Sequence, residues 1–317
     1  MILKFYFKRD SFYFGLWSVI YTSISVYSFH SRPTLTKDET HYLFYVEEGI
    51  GSMALIAADS AHFIHPLVLF YWFQAFDQTP IYFLTLPIFL LSCRYFLKST
   101  KLNNELFLIS LLPTAYYAGT YLREPFLFSA MFFLLGFLIR QHIMSALLLS
   151  TIMTGYRFYW AIISYFSLLL FGSRKTAVFL ALIYIMLSVS ILSNFAQYSI
   201  SAVEKISLDI VDLLRVFIIP LPAFQFEGDV NLYENAVLYT MTFPLRVFTL
   251  CLFTITCTKV IFTPLRLGKD QKLILIMGIL ILAGAFLTSL VGPRQVILGQ
   301  SLLVLSLTGQ YKMIWRR

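Results

Sequence analysis

The residues best suited to chemistry lie at 38–42, where the sequence DETHY follows the first long apolar run. Thr36 and Glu39 have the three-residue spacing of a capping box, in which a threonine caps a helix and a glutamate reaches back to it. On a helix that begins there, Asp38 and Tyr42 share one face, whereas Glu39 faces elsewhere. Asp38 is therefore a candidate general base. Its alternative role is to stabilise the first helical turn through the helix dipole.

Two histidines, His62 and His65, stand at the start of the next predicted helix. A single histidine in such a place more often serves the structure than chemistry, but His65 could also contact a ligand. With Asp38, Glu39 and Asp59, the histidines include the ligand types of a divalent cation, although their spacing matches no specific metal motif. No cofactor follows from the sequence beyond a divalent cation that such a set could bind.

Three arginines stand at separate turns between apolar runs: Arg123, directly before Glu124, then Arg157 and Arg294. A guanidinium group binds phosphate oxygens in a bidentate manner, which a lysine cannot do. The three arginines are therefore candidates for a site that binds a pyrophosphate. Two alternatives remain open, namely an ion pair of Arg123 with Glu124 and the anchoring of lipid headgroups.

The composition predicts an all-α, polytopic transmembrane helix bundle. Of the 317 residues, 59% are hydrophobic and 13% charged, whereas soluble domains are about half apolar and about a quarter charged. The net charge of +8 comes from basic residues that stand singly or in small groups between apolar runs. This pattern is typical of orientation in a membrane, so no nucleic acid partner is expected. Three cysteines without paired spacing give no disulfide framework and no zinc motif.

The apolar runs predict about ten membrane spans within a single domain, 1–317. The positive-inside rule then places both termini in the cytoplasm and the protein in the plasma (inner) membrane. Two polar and amphipathic segments are expected on the outer side: 30–61, with a juxtamembrane helix after the first span, and 194–235, with an amphipathic helix. The apolar block 62–97 is interrupted at 77–80, and its first part, 62–79, is predicted to be a juxtamembrane or re-entrant helix. The predicted spans lie near 11–29, 80–97, 103–121, 125–140, 142–156, 158–172, 176–193, 236–262, 272–290 and 295–311.

Two resemblances to known families rest on these motifs. Asp38-Glu39-x-x-Tyr42, followed by His65-Pro66-Leu67, resembles the GT-C superfamily of membrane glycosyltransferases, which take a sugar from a polyprenyl phosphate or diphosphate donor. The resemblance covers about residues 36–97, and the proline element of the family lacks one proline here. The motifs at 122–125 and 154–157 look like those of the exopolysaccharide and O-antigen polymerase group.

The resemblances imply a transferase of surface polysaccharide biosynthesis that works at the outer face of the membrane. Asp38 would be the general base, while Arg123, Arg157 and Arg294 would neutralise the departing polyprenyl phosphate or diphosphate. Tyr42 and His65 would orient sugar hydroxyls.

The resemblances also imply partners for the chain: a polyprenyl-linked sugar or oligosaccharide, membrane lipid and polysaccharide-assembly proteins. Some relatives hold a metal at the position of Glu39, for which the capping role is preferred here. Two alternatives remain open: a flippase or transporter of lipid-linked oligosaccharide, and a non-catalytic membrane subunit of a polysaccharide synthesis complex.

Overall fold

The structure is a computed structural model, and it describes residues 9–31, 37–49, 64–77, 79–100, 102, 104–156, 158–172, 244, 247–258, 267–287 and 293–308. Within this part of the chain every regular element is a helix, which agrees with the all-α prediction. Leu112–Thr114 forms a 3₁₀ helix, and residues 247–258 are also helical. The α-helices are α1 Arg9–Ser31, α2 Lys37–Glu48, α3 Ile64–Phe76, α4 Tyr82–Ser99, α5 Glu105–Leu111, α6 Ala115–Ala118, α7 Glu124–Ile139, α8 Ile143–Tyr156, α9 Phe158–Phe171, α10 Lys269–Leu287 and α11 Pro293–Thr308.

The predicted transmembrane bundle of about ten spans is wrong, and so is the predicted location as a multi-pass plasma membrane protein with cytoplasmic termini. Among the residues that the structure describes, no helix combines the length and the apolar character that a membrane crossing needs. A crossing needs about 20 consecutive apolar residues in one helix. Instead, α7, α8 and α9 contain 16, 14 and 14 residues. The 23 residues of α1 mix Ser, Thr, Tyr and His with apolar side chains.

The run at 103–121 shows why apolar length alone was misleading. Pro113 has no backbone N–H and cannot continue an α-helix, because its ring clashes with the preceding turn. The run therefore divides into α5, the 3₁₀ helix Leu112–Thr114 and the single turn α6. The predicted interruption at 77–80 does occur, since α3 ends at Phe76 and α4 begins at Tyr82. The predicted span 176–193 and the amphipathic helix in 194–235 lie outside the described residues.

Aromatic side chains form the centre of the main hydrophobic core, where α4 packs against α7. The rings of Phe96 and Phe132 stack at 5.5 Å, and those of Tyr21 and Phe89 stack at 4.8 Å. The Tyr21 hydroxyl forms a 3.0 Å hydrogen bond with the Thr114 hydroxyl, so that this buried phenol keeps a polar partner. This bond fixes α1 against the 3₁₀ helix that precedes α6.

The close packing of α1 and α4 on α6 positions the turn at 119–123. A Cβ atom on Gly119 would lie 2.6 Å from the Ser25 carbonyl oxygen, so only glycine allows this approach. The Ser25 hydroxyl donates to the Ala115 carbonyl at 2.8 Å, and the Thr85 hydroxyl donates to the Ala118 carbonyl at 2.6 Å. These bonds satisfy the last carbonyls of a helical turn that is too short to stabilise itself. The turn that follows is therefore fixed from two sides.

Candidate functional site

The backbone of Tyr121 connects two helices that are far away in sequence. Its N–H donates to Glu39 Oε1 of α2 at 2.8 Å, and its carbonyl oxygen lies 2.6 Å from His65 Nε2 of α3. Glu39 and His65 are both buried, with 0% and 1% of their surfaces exposed. A buried carboxylate is stable only where it is hydrogen-bonded. Tyr121 therefore ties α2 and α3 to the start of α7, which begins three residues later.

The bond from His65 fixes the tautomer of its ring. A carbonyl oxygen can only accept, so Nε2 carries the hydrogen in the neutral imidazole, and Nδ1 carries the lone pair. Nδ1 is buried and has no hydrogen-bond partner among the described residues. Burial lowers the pKa of His65 from 6.5 to about 4, the Tyr121 carbonyl opposes this, and Arg123 lowers the pKa further while Glu124 raises it. At neutral pH the site therefore contains an uncharged ring with a buried acceptor.

Tyr42 lies between His65 and Arg123. Its ring meets the His65 ring edge to face, with centroids 4.8 Å apart at 80°. The Arg123 guanidinium carbon lies 6.0 Å from the centroid of the Tyr42 ring, at the outer limit of a cation–π contact. Three residues from α2, α3 and the turn before α7 thus meet at one point.

Arg123 stands in an unfavourable place for a cation. It is the residue before Glu124, the first residue of α7, so its charge lies near the positive end of the helix dipole. Its side chain is half-buried, and its Nε is buried without a hydrogen-bond partner in the part of the chain that the structure describes. A buried donor without a partner costs about 1–3 kcal/mol. A ligand that accepts from this guanidinium would recover that free energy.

Aromatic rings form the remaining wall of the site. The rings of Phe126 and Tyr156 lie 5.9 and 6.2 Å from the His65 ring, and their own centroids are 5.8 Å apart. Burial raises the pKa of Tyr156, so its phenol stays neutral. The wall excludes water from His65, which strengthens any hydrogen bond that the ring makes there.

The structure brings together three of the predicted site residues, Tyr42, His65 and Arg123. Asp38 lies in the first turn of α2, next to Glu39, but its side chain lies outside the described part. Arg294 lies in the first turn of α11, and its side chain lies outside that part too, as does Arg157 altogether. The capping threonine at 36 and the histidine and aspartate at 62 and 59 are not among the described residues either.

Glu39 has a role that its sequence neighbours did not indicate. The capping box predicts a local partner at position 36, which lies outside the described residues. The structure shows that the carboxylate also accepts from the amide of Tyr121, 82 positions away. Such a contact leaves no periodic signal in the sequence. For the predicted metal, no group of three or more His, Cys, Asp or Glu side chains within the described residues has the geometry to hold an ion.

Comparisons with known proteins found no relative: no family model, curated protein or solved structure matches the chain.

Proposed function

We propose that the chain is a glycosyltransferase or polysaccharide polymerase that transfers a sugar from a polyprenyl phosphate or diphosphate donor during surface polysaccharide biosynthesis. One observation carries the proposal. Tyr42, His65 and Arg123, which the sequence motifs single out from three separate elements, surround one turn, and two of them hold buried polar atoms without partners among the described residues. Native proteins leave few such atoms, and each one calls for an explanation.

Arg123 is the group that we assign to the phosphate of the donor. When the anomeric C–O bond breaks, its electron pair leaves with the phosphate oxygen, and negative charge grows there. A guanidinium close to that oxygen stabilises the charge by hydrogen bonds that are already oriented. The buried Nε of Arg123, which donates to no described residue, provides one such donor.

Asp38 is the group that we assign to the acceptor. Its carboxylate would take the proton from the acceptor hydroxyl while that oxygen attacks the anomeric carbon and forms the new C–O bond, which inverts the configuration. Asp38 directly precedes Glu39, whose carboxylate holds the amide of Tyr121, so its Cα lies about 3.8 Å from that of Glu39. Glu39 is thereby committed to the fold, which leaves Asp38 for the chemistry.

His65 and Tyr42 are the groups that we assign to the orientation of the sugar. His65 Nδ1 is an acceptor without a partner in the described part of the chain, and its low pKa of about 4 keeps that lone pair available at neutral pH. A sugar hydroxyl that reaches Nδ1 would satisfy it, and this requires the aromatic wall of Phe126 and Tyr156 to open. The edge-to-face contact with Tyr42 holds the imidazole ring in the required orientation.

The test replaces Asp38 by Asn and measures transfer from synthetic farnesyl diphosphate-linked glucose, galactose and N-acetylglucosamine. We expect turnover to fall by about 10²–10⁴-fold, the usual contribution of a general base. Asp270→Asn is the matched control, because Asp270 also stands in the first turn of a helix, α10. If Asp38 only stabilises its helix, both variants lose a little stability and neither loses turnover.

Helical content, measured by circular dichroism, separates this result from misfolding. An Asp38→Asn protein that folds like the wild type and retains full turnover overturns the proposal. Turnover that is absent from the wild type for all three donors, with folding intact, favours the alternative of a non-catalytic subunit of a synthesis complex.

A further inference from the structure

A second feature lies beside the site, where α2 packs against α3. An open cleft of about 240 Å³ is lined by Val46, Phe70, Phe73, Gln74 and Asp77. Pockets for drug-sized ligands start at about 300 Å³, so this cleft suits a smaller molecule. The site described above does not include any of these five residues.

The chemistry of the lining is mixed in a particular way. The rings of Phe70 and Phe73 provide apolar faces, the Gln74 amide both donates and accepts, and the Asp77 carboxylate accepts. A sugar ring has the complementary surface, because it carries C–H faces and hydroxyls that donate and accept. A small cation would match the carboxylate and the rings. The donor of Gln74, however, would then have no acceptor on the ligand.

Asp77 stands where the fold itself would favour another residue. It follows the last residue of α3, and its φ of 50° lies in the left-handed region, in which glycine is the least strained. A carboxylate at the C-terminal end of a helix also faces the negative end of the helix dipole. The carboxylate at 77 is therefore not explained by the stability of the helix end, and it is available to a ligand.

The turn that carries Asp77 is held firmly in place. The Thr79 amide donates to the Asp77 carbonyl at 2.8 Å, and the Trp72 indole N–H donates to the Thr79 carbonyl at 2.7 Å. The bond from Trp72 holds the turn against the side of α3. The Asp77 backbone is thus fixed before any ligand binds, which lowers the entropy that binding costs.

The cleft adjoins the proposed site, because two of its lining residues pack against residues of that site. The ring of Phe73 lies 5.8 Å from that of Tyr121, whose backbone holds Glu39 and His65. Phe73 follows His65 by eight residues on α3, which is about 12 Å along the helix axis. Val46 follows Tyr42 by one turn of α2 and packs in the same cluster. The distance is suitable for an acceptor that reaches from the cleft to the reacting centre.

We infer that this cleft is the acceptor subsite: it binds one sugar ring, with Gln74 and Asp77 on its hydroxyls and Phe70 or Phe73 against its apolar face. That the bound sugar is an acceptor rests on the proposed function, whereas the binding of a sugar does not.

The test is saturation-transfer NMR on the full chain with the methyl glycosides of glucose, galactose and N-acetylglucosamine. We expect binding of at least one glycoside, weakened about tenfold by Gln74→Ala, which removes a direct hydrogen bond, and by Asp77→Asn, which replaces a charged acceptor by a neutral one. Asp77→Gly should weaken binding as much while it keeps or raises the thermal midpoint, because glycine relieves the strain. Loss of binding in that variant is then not a folding defect.

Gln141→Gly is the matched control, because Gln141 also follows a helix with a left-handed backbone, at φ 62°. It should leave glycoside binding unchanged. Full binding in both Gln74→Ala and Asp77→Asn overturns the inference, and so does the absence of binding by the wild type. Glycoside binding that persists in an inactive chain removes the proposed function but not the sugar subsite. Sugar transfer without glycoside binding in the cleft removes the sugar subsite but not the proposed function.

Discussion

An arginine, a tyrosine and a histidine lie near each end of α7, and their environments differ. At the N-terminal end, the guanidinium carbon of Arg123 lies 6.0 Å from the ring of Tyr42, which in turn contacts the ring of His65. At the C-terminal end, Arg140 lies 4.6 Å from the ring of Tyr95. His142 lies two residues after Arg140 in the chain, and its ring is exposed.

The environments of the two arginines differ. Arg140 Nε donates to the Ser99 hydroxyl at 2.7 Å, and its charge favours the negative end of the helix dipole. Arg123 Nε is buried without a hydrogen-bond partner among the residues described, and its charge opposes the dipole. Arg140 therefore contributes to the fold. Arg123 Nε makes no such bond among the described residues, and we propose Arg123 as the arginine of the two that binds a ligand.

The largest expected effect is on turnover. Arg123→Ala should lower the rate of sugar transfer by about 10²–10³-fold, which is typical for the loss of one donor to a developing anion. Arg123→Lys should retain only a little activity, because an ammonium group cannot bind in a bidentate manner. Arg140→Ala should change the rate by less than about twofold, because surface substitutions away from a site have small effects. Steady-state kinetics with the three synthetic donors measure all of these. Full activity in Arg123→Ala refutes the phosphate role.

The next effect is the pH dependence of the free energy of unfolding, which we attribute to His65. The folded pKa of His65, about 4, lies below the unfolded value of 6.5, so the unfolded chain binds more protons between these values. Stability is therefore full above pH 6.5 and falls as the pH drops towards 4, by roughly 3 kcal/mol in all. Denaturant unfolding at a series of pH values from 4 to 7 measures it.

The variant that tests this effect is His65→Gln. Its glutamine amide would keep a donor for the Tyr121 carbonyl and should flatten the pH dependence. An unchanged profile in His65→Gln would show that other groups cause the acid sensitivity.

A smaller effect is expected for the carboxylate that holds the site together. Glu39→Ala removes the acceptor of a buried amide, which should cost about 1.5–3 kcal/mol of the free energy of unfolding. Glu47→Ala, on the exposed surface of the same helix, should change it by less than about 0.5 kcal/mol. Chemical denaturation compares the two. Equal, small losses would mean that the bond between Glu39 and Tyr121 does not stabilise the turn.

The smallest effect is on the stability that each arginine contributes. Arg140→Ala removes an exposed cation–π contact and a hydrogen bond, and should cost about 1 kcal/mol. Arg123→Ala should cost nothing or stabilise the fold slightly, because a cation near a helix N-terminus is unfavourable by about 0.3–1 kcal/mol. Thermal unfolding of both variants gives the sign directly. A larger loss for Arg123→Ala would make it the structural arginine of the two.

The sequence predicted helices correctly but predicted membrane spans wrongly. The run at 125–140 became α7, and the run at 142–156 became α8, because apolar side chains without breakers favour helices of that length. The same apolar runs predicted a transmembrane bundle, and this was wrong. Length was counted across Pro113, where the chain changes to a 3₁₀ helix. In such an apolar run, the position of a proline predicts the length of the helix better than the composition does.

The sequence also singled out three candidate residues that lie close together in the structure, but not the bonds that connect their elements. Tyr42, His65 and Arg123 could be singled out because charged or aromatic residues beside a proline or a helix start are visible locally. The bond from the Tyr121 amide to Glu39 could not be foreseen, since it spans 82 residues and depends on the approach of α1 to Gly119. The burial of Arg123 Nε away from every acceptor of the described residues is a property of packing alone.

The phosphate role of Arg123 is tested by the affinity of farnesyl diphosphate for the wild type, Arg123→Ala and Arg140→Ala, measured by isothermal titration calorimetry. We expect Arg123→Ala to bind at least about tenfold more weakly, since charge-assisted hydrogen bonds are worth about 1.5–3 kcal/mol, and Arg140→Ala to bind like the wild type. Equal affinity in all three proteins, or an equal loss in both variants, would contradict this role.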